Sequence, residues 1–96
     1  MNVLEEFECE DRYEAEKLAG FLSVTEGRSA YPLRVSRITR NEIIIVLNDG
    51  TSHSVVLKDQ DTAIRLKLLL EDLSQGRRSV CDSKFEHHTA KLTITD

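Results

Sequence analysis

Residues 41–57 read NEIIIVLNDGTSHSVVL, and the fold turns on how this stretch is read. Five apolar residues, Ile43 to Leu47, run into the turn signal Asn48-Asp49-Gly50. A second run follows in which His53, Val55 and Leu57 alternate with Ser52, Ser54 and Val56. Two β-rich runs separated by a short polar segment ending in Gly describe a hairpin. The expected turn is type I, with Gly50 in the left-handed position closing a G1 bulge. An unbroken apolar run such as Ile43–Leu47 further predicts a strand covered on both faces, at the centre of a sheet.

Working outward from the hairpin, the chain supplies partners for it on both sides. Upstream, Leu33 to Thr39 follows Pro32, which biases the residue before it to extended geometry and so introduces a strand. Downstream, Asp59 or Asp61 is placed to cap a helix over Thr62 to Gln75. There Ala63, Leu66, Leu69, Leu70 and Leu73 share one broad face, and Gly76 ends the helix. Ile64 and Leu68 lie off that face and are expected against the first helix or in an interface between copies. At the N-terminus, Val3, Glu5, Phe7 and Cys9 alternate with Leu4, Glu6 and Glu8, as in a strand with Phe7 and Cys9 inside. Glu10 or Asp11 then caps a helix running to about Thr25, with Ala15, Leu18, Ala19 and Leu22 on one stripe and Gly27 as its stop. Phe21 is expected at the margin of the core. Val80, Cys81 and Phe85 fit either a short strand or a docked loop, and Thr89 to Thr95 alternates as a last strand. The order β-α-β-β-β-α-β is that of an α+β fold: a mostly antiparallel sheet with two helices on one face.

The 96 residues are 40% hydrophobic and 31% charged. They suit a single domain over 1–96 that buries about 60–65% of its unfolded surface. No internal repeat and no low-complexity tract is legible. Nothing approaches the ~18 consecutive apolar residues of a membrane span. The acidic start MNVLEEFECED carries no export signal, so cytoplasmic residence with Cys9 and Cys81 as free thiols is expected. The net charge of −4 is unevenly spread. Residues 1–27 hold eight acids against two bases, and the remainder nine acids against eleven bases. A negative field concentrated in this way favours a protein partner with a basic surface and repels nucleic-acid phosphate.

Catalytic spacing is largely missing. Gly20, Gly27, Gly50 and Gly76 are isolated, so there is no phosphate-cradling loop, and neither a nucleophile elbow nor HExxH occurs. Cys9, Cys81, His53, His87 and His88 are the residue types of a zinc site but lack its spacing. The expectation is no enzyme, no metal and no cofactor; a small Cys/His metal protein or hydrolase is a second alternative. The first alternative is a nucleic-acid-binding or regulatory protein using Arg34, Arg37, Arg40, Arg77 and Arg78. The α-β-β-β-α order is similar to that of a double-stranded-RNA-binding domain, but here the second helix opens with Asp59-Gln60-Asp61, where phosphates would approach. The three-residue spacing of Arg34, Arg37 and Arg40 also does not keep them on one face of a regular strand.

Residues 41–76, NEIIIVLNDGTSHSVVLKDQDTAIRLKLLLEDLSQG, resemble the hairpin-plus-helix of small acidic phage anti-CRISPR proteins that inhibit Cas9. The shared elements are the apolar strand, the Asn48-Asp49-Gly50 turn, a short strand, an acidic cap and an apolar helix. The resemblance implies a non-enzymatic inhibitor from a phage or mobile element that occupies a basic nucleic-acid-binding surface of its target, with Asp49 and Gly50 in the contact. Two departures stand beside it: this chain opens with a strand that family lacks, and Ser52 replaces an acid. The candidate partner-binding residues are therefore Glu5, Glu6, Glu8, Glu10, Asp11, Glu14, Asp49 and Gly50. The acids would steer and hydrogen-bond Arg or Lys of the partner. No direct nucleic-acid contact, no membrane and a monomer or weak homodimer complete the expectation.

Overall fold

Strand β3, Glu42–Leu47, is the centre of a three-stranded antiparallel sheet between β2, Leu33–Thr39, and β4, Ser52–Val56. The computed structural model describes residues 2–23 and 32–95. Its other elements are β1 (Asn2–Glu8), α1 (Arg12–Ser23), α2 (Gln60–Ser74), β5 (Ser79–Glu86) and β6 (Thr89–Thr95), with β1, β6 and β5 forming a second antiparallel sheet in that order. The chain is thus an α+β fold. The segment that fitted either a short strand or a docked loop is the full strand β5. Thr25 and Gly27, assigned from sequence to the end of the first helix, lie outside the described residues.

The hairpin forms as its sequence demands. Gly50 takes φ +88°, a region open to glycine at little cost. Its N–H donates to Leu47 O at 3.0 Å, and Leu47 N–H donates to Thr51 O at 2.9 Å. Alternation along β3 then sends Ile43 and Ile45 inward, where neither is exposed at all. Ile44 and Val46 point outward and stay half-buried. The central strand is therefore covered on one face only, contrary to what its unbroken apolar run suggests. Helix α2 lies on the inner side, and no helix among the described residues packs on the outer one.

One core joins both sheets and both helices, with Phe7, Leu18, Leu22, Ile43, Ile45, Leu57, Leu66, Leu70, Leu92 and Ile94 at its heart. Phe21 packs on the margin of this core, its ring 4.5 Å from that of His53. The helices do not pair with each other. Helix α1 rests mainly on β5 and β6, and α2 on β2 and β3.

That crossed packing belongs to an internal repeat hidden in the sequence. Each half of the chain is a β-α-β-β unit, β1-α1-β2-β3 followed by β4-α2-β5-β6. The sheets β1-β6-β5 and β4-β3-β2 are each other's image, since each half lends its hairpin to the first strand of the other. The halves meet at an antiparallel bridge between Cys9 and Leu57. Around it the bonds come in matched pairs. Glu10 N–H donates to Val56 O and Lys58 N–H to Glu8 O; Cys9 N–H donates to His88 O and Leu57 N–H to Asn41 O. The special positions match as well. Asp11 caps α1 through Glu14 N–H, and Asp59 caps α2 through Thr62 N–H. A bulge falls at Arg34 in β2 and at Cys81 in β5. The hairpin turns use Arg40 and His87, both left-handed with φ +57° and +56°.

Candidate functional site

The acids singled out from sequence divide by what already holds them. On β1, alternation turns Glu5 toward α2, where its carboxylate lies 3.6 Å from Arg65 and 3.7 Å from Arg78. The Arg65 guanidinium also sits 4.9 Å from the centre of the Phe7 ring and donates to Glu6 O at 3.0 Å. Glu8, on the outer face, is shared between Lys58 at 3.5 Å and His88 at 3.4 Å. Asp11 accepts Glu14 N–H at 2.9 Å as the cap of α1.

Glu14 is itself buried. Its carboxylate accepts Val56 N–H at 2.8 Å and pairs with Lys17 at 3.1 Å, tying the helix to β4. A backbone N–H left unpaired there would cost the desolvation of a polar group, so this carboxylate closes the strand end as a structural acceptor. Only Glu6 and Glu10 of the N-terminal set are exposed and carry no side-chain partner among the described residues. Across the strands Glu6 faces Lys91, and Lys91 faces Lys84, so the outer face of β1-β6-β5 mixes both signs. The acids do not gather into one open negative face.

Asp49 and Gly50 stand apart from that group. β1 and β4 run antiparallel and meet at their C-terminal ends, so the hairpin tip and the start of β1 lie at opposite ends of the joined sheets. At the tip the Asp49 carboxylate accepts Thr51 Oγ1 at 2.6 Å and Thr51 N–H at 2.9 Å. These bonds, the hydroxyl's first, hold its carboxyl below the usual aspartate range. The result is an exposed anion of fixed orientation.

Beside that tip lies a surface the sequence pattern concealed. The outer rows of β2-β3-β4 are Val35, Val46 and Ser52, then Arg37, Ile44 and Ser54, then Thr39, Glu42 and Val56. Val35 is 49% exposed, and Ile44, Val46 and Val56 are half-buried. This is an apolar strip with hydroxyl and guanidinium neighbours on the open side of the sheet. Ile43–Leu47 was its signal, but a run of like residues cannot tell two covered faces from one. The bulge changes the arginine geometry too. The extra residue Arg34 lets Arg34, Val35 and Arg37 all point outward, and Arg40 follows exposed in the turn.

The Cys/His set is scattered. Cys9 is 2% exposed and donates to Phe7 O; desolvation, then repulsion from Glu14 and Asp11, pushes its thiol up to about 12. Cys81 is exposed beside Thr95 and Asn2, while His53 packs on Phe21. Among the described residues no three His, Cys, Asp or Glu side chains are grouped to hold a metal. A shallow groove of about 420 Å³ runs between α1 and β5, with Ala19, Gly20 and Phe85 beneath Glu16 and Lys84. The Ser83 hydroxyl in it is spent on Ala19 O at 2.7 Å. Ile64 and Leu68, 44% and 57% exposed, project from α2 and do not rest on α1. No described helix is long and apolar enough to cross a membrane.

No family model, curated protein or solved structure matches this chain.

Proposed function

We propose that this chain is a non-enzymatic protein-interaction module whose contact element is the β3–β4 hairpin. One observation carries the reading: the outer face of the hairpin is left open, with Ile44 and Val46 of β3 and Val56 of β4 along it and the oriented Asp49 carboxylate at its tip. An apolar strip with a charged end suits a protein surface that offers a shallow apolar patch beside a basic group. In its narrower form the reading is that of a phage or mobile-element inhibitor, of the anti-CRISPR kind, occupying a basic nucleic-acid-binding surface. Asp49 and Gly50 would then supply the contact, and Glu6 and Glu10 the long-range attraction. Glu5, Glu8, Asp11 and Glu14 support the fold in this scheme. The module acts as a monomer or weak homodimer, and its free thiols suit a reducing cytoplasm.

The test is capture of partners from bacterial lysate by wild type, Ile44→Glu, Asp49→Lys and a control, Glu86→Lys, on the other sheet. The expected result is a partner held by wild type and the control, lost with Ile44→Glu and weakened with Asp49→Lys. A partner retained by wild type and all three variants alike removes the hairpin from the interface. Purified Cas9 with guide decides the narrower form: cleavage of target DNA undiminished by excess protein ends the anti-CRISPR reading.

A further inference from the structure

The hairpin reading concerns the face of the sheet β2-β3-β4; its rim carries a separate possibility for binding. β2 is an edge strand, and among the described residues no strand pairs with its outer side. The peptide N–H and C=O groups that alternation turns away from β3 along this seven-residue strand therefore have no ladder partner. Along the same edge stand Arg34, Arg37 and Arg40. All three are exposed, and none has an ion-pair partner among the described residues. This contrasts with Arg65, Arg77, Lys58, Lys67 and Lys91, each of which is engaged by a carboxylate. The Arg34 bulge puts two of the edge arginines on one side, beside Val35.

From this we infer that the free edge of β2 takes an extended acidic peptide segment as an added strand. Main-chain bonds would supply the pairing, and acidic side chains at alternate positions would meet Arg34, Arg37 and Arg40. The charges also decide against other strands. A second copy docking by the same edge would bring the arginines of both chains together, and a basic or neutral segment gains nothing from them. Phosphate could satisfy the guanidinium groups but makes no use of the edge amides, which only an extended backbone can pair. The inference goes beyond the hairpin reading, since the face and the edge can each fail alone.

The experiment uses a fluorescent peptide of about ten residues alternating Thr and Glu, long enough at ~3.3 Å per residue to cover β2. Saturable binding is expected, weakening as salt rises, with slower hydrogen exchange at β2 amides. A Thr–Lys peptide should not bind. Arg37→Glu should weaken the acidic peptide by about tenfold or more while leaving the melting temperature near wild type. Arg34→Ser, at the exposed bulge, gives the same comparison if the first variant folds poorly. The hairpin variant Ile44→Glu should retain slowed exchange along β2 on addition of peptide. Three results would each overturn the inference. Duplex DNA of equal charge could bind as tightly as the peptide and lose as much with Arg37→Glu. The β2 amides could exchange at an unchanged rate in the presence of peptide. Sedimentation could show that the edge is filled by a second copy.

Discussion

Two residues are held in conditions that single substitutions report. Gly50 sits at φ +88°, and an added Cβ there would meet nothing within 4 Å. The cost of Gly50→Ala is therefore backbone strain and not a clash, about 1 kcal/mol or more, and it should lower the melting temperature. An unchanged melting temperature would mean that the turn relaxes to another geometry. Cys9 carries a pH dependence. Its folded thiol titrates near 12 against 9.0 for the free group. A group with a raised folded pKa contributes stability that is complete below its unfolded pKa and is lost as pH climbs toward the folded value. Stability should thus fall between about pH 9 and 12, and Cys9→Ala should flatten that limb. At pH 8 a thiol reagent should label Cys81 quickly and Cys9 only at the rate of unfolding. Two thiols reacting together would contradict the burial.

The two faces of α2 show what sequence periodicity can decide. Ala63, Leu66, Leu69, Leu70 and Leu73 were legible as one face, and all five are buried. The cap was legible as Asp59 or Asp61, and it is Asp59, whose carboxyl is held below the usual range chiefly by Thr62 N–H. Ile64 and Leu68 lay off the stripe, and spacing alone could not say what they meet, because that depends on where a second helix lies. In this fold α1 rests on the other sheet, so the pair remains open. Leu66→Ala should cost about 2–5 kcal/mol in denaturant unfolding, through lost burial and the cavity left behind. Leu68→Glu, at a site 57% exposed, should stay within about 0.5 kcal/mol of wild type. If it matches Leu66→Ala instead, Leu68 is covered in solution, and sedimentation of the two proteins would show whether a second copy covers it.

The repeat organises the whole molecule, yet the sequence hides it for physical reasons. Asp11 and Asp59, Ala15 and Ala63, Leu18 and Leu66, and Leu22 and Leu70 are equivalent and alike. They are the cap and the core stripe, which any amphipathic helix shares. Elsewhere equivalent sites do different work, as with Glu14 and Thr62 or Gly20 and Leu68. Beyond the helices the register slips by one residue, so Arg40 answers His87. The β5 strand was obscured by its own bulge, which breaks the alternation at Cys81.

The crossed packing makes a prediction about cooperativity. Each helix rests on the hairpin of the other half, and β1 finds its ladder on β6, so neither half has a complete core of its own. Residues 1–48 alone would expose Phe7, Leu18 and Leu22, and residues 49–96 would expose Leu66, Leu70 and Leu92. The covalent link between them is the Asn48-Asp49-Gly50 turn, which contributes little apart from keeping the halves together. A chain of half this length also buries too small a fraction of its surface to offset its conformational entropy. Separately made fragments 1–48 and 49–96 should therefore each be largely unfolded by circular dichroism, and an equimolar mixture should regain the far-ultraviolet spectrum of the intact chain. The mixture should melt at a temperature that rises with concentration, since association now replaces the turn. A fragment that melts cooperatively as a monomer would show that one half holds a core by itself, against the crossed arrangement of helices and hairpins.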